Sequence, residues 1–313
     1  MKTTDTKKTL LVLAIYFALS FFVLGASAMM HYFVYPKFDK VHEHIVDFMK
    51  VFNSRVIFLF YFPSVLLLIS SISLFWFAPK GFTKLFGYAI IALSAFSVIT
   101  IFFILIPLQN SFSPTTGFVE TDYNNLLSYS LMFQLIPIVV QSVLTFFILN
   151  NFLSNTKQFS RWVFIILISL AFYTAGSDFV EKLINYPLWL TVGIKEWLIF
   201  RRGGNLFSFI LVYLLPAFLP LLLIMLMFWF RPKSIKQKFI FLYLGLYLLI
   251  SVISSTYFVP KIQFQLNTAY SITLIKELIK MDFPLRFFPA LLIYGLAIFM
   301  FIKVGKNQIQ ETK

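Results

Sequence analysis

The chain has 313 residues, 60% of them apolar and 20% aromatic against 12% charged, with a mean hydropathy of +0.87. A soluble domain carries nearer half apolar and about a quarter charged residues, so a water-soluble globule is excluded and an integral membrane protein is the economical reading. The net charge of +14 sits largely on residues flanking apolar stretches, which favours contact with the lipid bilayer and its anionic headgroups over nucleic acid, and the absence of cysteine excludes disulfides and thiolate sites.

Eight apolar spans of about 18 to 27 residues follow in chain order: Leu10–Met30, Val56–Phe77, Leu85–Leu108, Leu126–Phe152, Trp162–Val180, Leu206–Phe230, Phe239–Val259 and Phe287–Val304. Each is long enough for a hydrocarbon core of ~30 Å, and the lack of period-two alternation excludes a barrel. In the first span, Lys7-Lys8 and Gly25-Ala26-Ser27-Ala28 also fit a cleavable signal peptide. Gly25 has a counterpart at Gly176, inside a segment that cannot be a signal, so a retained helix is expected.

That counterpart belongs to a longer frame. Pro36, Pro63, Pro79, Pro107 and Pro137 match Pro187, Pro216, Pro232, Pro260 and Pro289 at offsets of 151, 153, 153, 153 and 152 residues. Tyr35-Pro36 matches Tyr186-Pro187, and Trp76-x-x-Pro79-Lys80 matches Trp229-x-x-Pro232-Lys233. The frame predicts an all-α membrane protein of eight transmembrane helices, as two parallel tandem four-helix repeats covering residues 1–157 and 158–313. A site is then expected between or within the copies.

The termini and the short connections after spans two, four and six carry Lys2, Lys7, Lys8, Lys80, Lys84, Lys157, Arg161, Arg231, Lys233, Lys236, Lys238, Lys303, Lys306 and Lys313, with Asp5 and Glu311 as their only acids. This predicts an inner-membrane protein with both termini in the cytoplasm. The four longer connections then cluster on the outer face. After Pro36, the residues Phe38, Val41, Ile45, Phe48 and Phe52 follow helical spacing, and after Pro187 so do Trp189, Val192, Gly193, Trp197 and Phe200. With the segment near Ile272–Met281, these read as amphipathic helices lying at the interface.

Few residues could carry chemistry. His31 ends the first span, and helical phase puts His42 on the apolar face after Pro36; a His-x-His pair (His42, His44) is poorly spaced for a metal. Asp178 and Glu181 lie one turn apart at the end of span five, beside Lys182, and charges there usually face an interior, a cavity or a partner. Glu196 stands on an apolar aromatic stripe, where it should have a raised pKa or meet a cation such as Lys182 or Arg201. Arg286 opens span eight and could hold a carboxylate or phosphate, or snorkel to the interface. No phosphate loop, zinc-protease, nucleophile-elbow or di-metal carboxylate pattern is present, and no cofactor or metal is implied.

Some of these residues carry a likeness to a known family. Gly25-Ala26-Ser27, Tyr35-Pro36 and Ile106-Pro107-Leu108-Gln109 in the first copy, and Val259-Pro260 and Leu278-Ile279-x-x-Asp282-Phe283-x-x-Arg286 in the second, resemble the anthrone-oxygenase-like four-helix membrane proteins. The resemblance implies a four-helix unit and, for a few members, cofactor-free oxidation of an aromatic polyketide. Asp282-Phe283 stands where that group commonly has Asn-Trp, and the first copy lacks the arginine. The activity is therefore not carried over. Three functions remain open: a packing or partner-binding membrane protein with no chemistry of its own, a small-molecule permease with a site between the copies near the outer face, which could take a small hydrophobic ligand, and an enzyme on a lipid-soluble substrate. A pocket lined by Asp178, Glu196 and Arg286 would favour the last two; a filled interior would favour the first.

Overall fold

The computed structural model describes residues 3–79, 82–112, 118–202 and 206–311, and no strand occurs among them. Lys2, Lys80 and Lys313, counted above among the basic flanks, lie outside the described residues. Eight helices are long and apolar enough to cross a membrane: α1 (Lys7–Lys40), α2 (Ile45–Trp76), α3 (Lys84–Asn110), α4 (Glu120–Phe152), α5 (Gln158–Thr191), α6 (Leu206–Phe230), α7 (Gln237–Leu266) and α8 (Ile272–Gln310). They follow the eight expected spans in number and order.

Most of them run past the apolar stretch that announces them, and the prolines show how. A proline in a regular α-helix lacks a donor and collides with the carbonyl four residues back. Here the residue before the proline donates instead to the carbonyl five residues back: Tyr35 to Met30, Phe62 to Ile57, Ile106 to Ile101 and Ile136 to Leu131. In the later helices Tyr186 reaches Glu181, Leu215 reaches Ile210 and Phe288 reaches Phe283. Around Pro260 the widened stretch covers Ser254–Gln263. Each π-turn makes room for the ring, so the helix passes its proline rather than stopping there.

This corrects the expectation of separate interfacial helices. Pro36 starts no new helix; Tyr35–Lys40 is a tight 3-10 extension of α1, and the next helix begins at Ile45. The amphipathic segments Ile45–Val56 and Ile272–Asp282 are the opening turns of α2 and α8. Their apolar faces are buried as the spacing required. Phe38, Val41, Ile45, Phe48 and Phe52 join Trp189, Val192, Trp197 and Phe200 in one cluster at the long-connection end of the molecule.

α1 and α5 form the centre, with 61% and 72% of their most apolar stretch buried, while α7 at 11% is the outermost helix. They cross at two glycines. A Cβ on Gly25 would fall on the Tyr173 carbonyl oxygen, and one on Gly176 would fall on the Phe22 carbonyl oxygen. Only a residue without a side chain lets the backbones meet at these points. Around this axis the first four helices form one ring of neighbours, α1–α2–α3–α4, and the last four form another, α5–α6–α7–α8. α6 and α7 touch over a shorter length than α2 and α3. The outer surface is apolar on every side, with Phe58, Phe103, Phe218 and Trp229 among its exposed side chains.

Candidate functional site

Apart from Lys37, the polar groups buried inside the first four helices are neutral. Tyr16 and Ser20 bond Thr145 (2.9 and 3.1 Å), and Ser71 bonds Ser94 (2.8 Å), which accepts from Gln141 (2.7 Å). Tyr61 donates to Gln109, which donates to Tyr35 at 2.9 Å. His31, in the π-turn before Pro36, pairs its Nδ1 with the Ser130 hydroxyl at 2.8 Å.

The last four helices hold ions instead. The π-turn Glu181–Asn185 carries Glu181, Lys182 and Asn185, one turn beyond Asp178. Lys182 Nζ lies 3.5 Å from both Asp178 and Asp282, and Asp282 also pairs with Arg286. Arg286 donates to the Tyr186 hydroxyl (3.2 Å) and its guanidinium stacks 3.8 Å above the Phe258 ring. Tyr294 donates to Asp178 at 2.7 Å. Glu181 Oε2 accepts from Asn185 (2.6 Å) and Tyr213 (3.1 Å). Asn185 in turn accepts from Lys37 Nζ at 2.9 Å, which ties α1 into the network.

Asp178, Glu181, Lys182 and Arg286 line one cavity of about 710 Å³, within the range of small-molecule sites. It lies inside the last four helices, not between the two groups of four. Tyr186, Tyr213, Tyr243, Tyr247 and Tyr294 add aromatic walls. Phe218, Leu248 and Val252 line the cavity while also being exposed on the outer surface, so it opens sideways between α6 and α7. The opening has a local cause. Ser71 and Ser94 are small and let α2 and α3 close on each other; 153 residues later stand Ile224 and Tyr247, which cannot. No group of three or more His, Asp or Glu residues placed to hold a metal ion occurs among the described residues.

His31, His42 and Glu196 lie elsewhere. His42 is exposed, its ring centre 5.0 Å from that of Phe118 in an edge-to-face contact, because residues 41–44 are not helical and helical phase does not apply to them. Among the described residues Glu196 forms no ion pair with a lysine or arginine. Its carboxylate accepts the backbone N–H of His42 (2.7 Å) and Glu43 (2.8 Å) and faces His44 Nδ1 at 3.2 Å. Burial raises its pKa, but these hydrogen bonds outweigh burial, and the net shift is downward. Its place in the structure is a clamp between the segment after α5 and the start of α2.

Sequence reasoning missed Asp282 as the centre of the charge network and Lys37 as a buried cation. Lys37 is 7% exposed, with its Nζ 4.6 Å from the centre of the Phe200 ring. It follows a proline beyond the apolar stretch, where a lysine reads as solvated. A signal for Asp282 was available, since His31 and Ser130 plus 151 and 152 residues give Lys182 and Asp282. Both pairs are bonded in the structure. No protein-family model matches the chain, and neither does any curated protein or solved structure with which it was compared.

Proposed function

We propose that the chain is an integral protein of the cell inner membrane, both termini cytoplasmic, built as two tandem four-helix units. The first unit is a packed scaffold. The second is a permease-type binding unit for a lipid-soluble small molecule that enters sideways from the bilayer. One observation carries the binding role: a cavity of about 710 Å³ with ionic groups at one end and an apolar mouth between α6 and α7. An enzyme is not favoured, because the ionic groups bond to one another and to tyrosines, and none is set as a nucleophile beside a base.

The membrane reading is supported by eight apolar helices and by many large apolar side chains exposed on the outer surface. The tandem reading is supported by the proline frame, by a π-turn at both members of four of the five matched proline pairs, and by the reciprocal contacts of Gly25 and Gly176. The orientation rests on the basic short connections. Cysteines at Lys157 and Lys236 should resist an impermeant thiol reagent in intact cells, and one at Asn267 should react.

The binding role is tested by extracting the protein purified in nanodiscs and identifying co-purified amphiphiles by mass spectrometry. Ala217→Trp and Ser251→Trp both place a large side chain in the cavity wall. Each should remove the co-purified molecule while leaving the melting temperature within a few degrees of wild type. Retention of the same molecule by both variants overturns the proposal.

A further inference from the structure

The charges around the cavity are not equivalent. Asp282, 4% exposed, lies between Lys182 and Arg286 and pairs with both. Lys182 is shared further with Asp178, and the two cations rest near the rings of Phe287 and Phe258. Their side chains are 10% and 13% exposed, whereas that of Asp178 is 28% exposed. The cations are thus turned into the protein and neutralised there. Asp178 is the more open of the charges, whereas Asp282 is enclosed with the cations. Both hydrogen bonds of Glu181 use Oε2, and both polar contacts of Asp178 use Oδ2. Oε1 and Oδ1 remain as acceptors on one face of α5, and Glu181 has no ion-pair partner within 4.0 Å among the described residues. Its charge is balanced at longer range by Lys37, one amide away behind Asn185, and by Arg201. A carboxylate without a paired cation is costly in a site walled off from water.

We infer that the cavity takes a cationic amphiphile, a hydrophobic amine or onium ion. Its charge sits against Glu181 and Asp178, and its apolar part lies along α6 and α7. The tyrosines are compatible with the same chemistry, since Tyr186, Tyr213, Tyr243, Tyr247 and Tyr294 line the cavity and aromatic rings attract a desolvated cation. This inference rests on the binding role proposed above and adds the sign of the ligand's charge.

Two probes of nearly the same shape and opposite charge separate the possibilities: tetraphenylphosphonium and tetraphenylborate, measured by equilibrium dialysis against the full chain in nanodiscs of zwitterionic lipid. The phosphonium should bind saturably, about one per chain, at least about tenfold more tightly than the borate. Glu181→Gln keeps the side chain's size and its acceptor oxygen, and should weaken phosphonium binding about tenfold. Asp178→Asn neutralises the site independently and should act in the same direction, and melting curves of both variants establish that they are folded. Tighter binding of the borate, or phosphonium binding unchanged in both variants, overturns the charge assignment while leaving the cavity as a binding site. If neither probe binds, or if Ala217→Trp leaves binding unchanged, the charge assignment and the binding role fall together.

Discussion

The first four helices and the last four are held by the same devices and filled with different matter. Both rings carry a π-turn at four of their five matched prolines, and both place their first helix at the centre. Inside the first ring, serines, a threonine, glutamines and tyrosines bond to one another, and the helices close. At the frame positions of Ser27, Ser94 and Ser142 the second ring has Asp178, Tyr247 and Tyr294, and all three line its cavity. The difference teaches that backbone geometry here is indifferent to what the interior does. The prolines and glycines specify the rings, and a handful of inward positions decide whether a ring is solid or hollow.

The largest test of the shared framework is at the crossing of α1 and α5. Because an added Cβ would meet backbone on both sides, no rotamer change relieves the clash. Gly25→Val and Gly176→Val should each cost about 3 kcal/mol or more and yield little monodisperse protein on size-exclusion chromatography. At Gly245 and Gly295 an added Cβ would meet nothing within 4 Å, and their replacement by Ala should leave the melting temperature unchanged or raised. Strongly unequal damage at Gly25 and Gly176 would break the equivalence of the two rings.

The next test is of their contents. Asp282→Asn strips Arg286 of its counter-ion and leaves Lys182 with Asp178 alone, and leaving a buried charge unpaired costs about 3–5 kcal/mol. Its partner in the frame, Ser130, makes a neutral bond to His31, so Ser130→Ala should cost about 1 kcal/mol. Thermal melts of the two variants in the same detergent check this. Equal losses would mean that the ionic character of the second ring adds nothing to its stability.

Much of this was legible from the chain. Apolar runs gave the number and order of the helices, because hydrocarbon-length stretches are hard to mistake, but they missed several helix ends. α5 continues through Glu181, Lys182 and Asn185 to Thr191, polar residues that hydropathy discards and a π-turn retains. Asp178, Glu181, Lys182 and Arg286 were found as charges too near the apolar spans to be idle. Asp282 and Lys37 were not, because their burial comes from how α8 and α1 meet α5, which no local pattern encodes. Glu196 was found for a sound reason and given the wrong partners. A carboxylate on an apolar stripe needs donors, and here backbone amides from a distant turn supply them.

That clamp gives the smallest and most specific effect. Glu196 belongs to the segment after α5, while the groups it holds, at His42, Glu43 and His44, belong to the approach to α2. It is therefore a joint between the two rings outside their interiors. Its folded-state pKa lies below the ordinary 4.5, so the ionised form is the one that folding favours. The stabilisation is complete at pH values above the ordinary pKa and is lost as pH falls through it toward the folded-state value. Glu196→Gln keeps an oxygen for the two amides but removes the charge, and should cost about 1 kcal/mol at pH 7. The gap in melting temperature between wild type and variant should be full at pH 7 and shrink as pH is lowered below about 4.5, while ligand binding in the cavity stays unchanged, because Glu196 does not line it. A gap that widens on acidification would show that the carboxylate is held in its neutral form and that the amides of His42 and Glu43 do not set its charge.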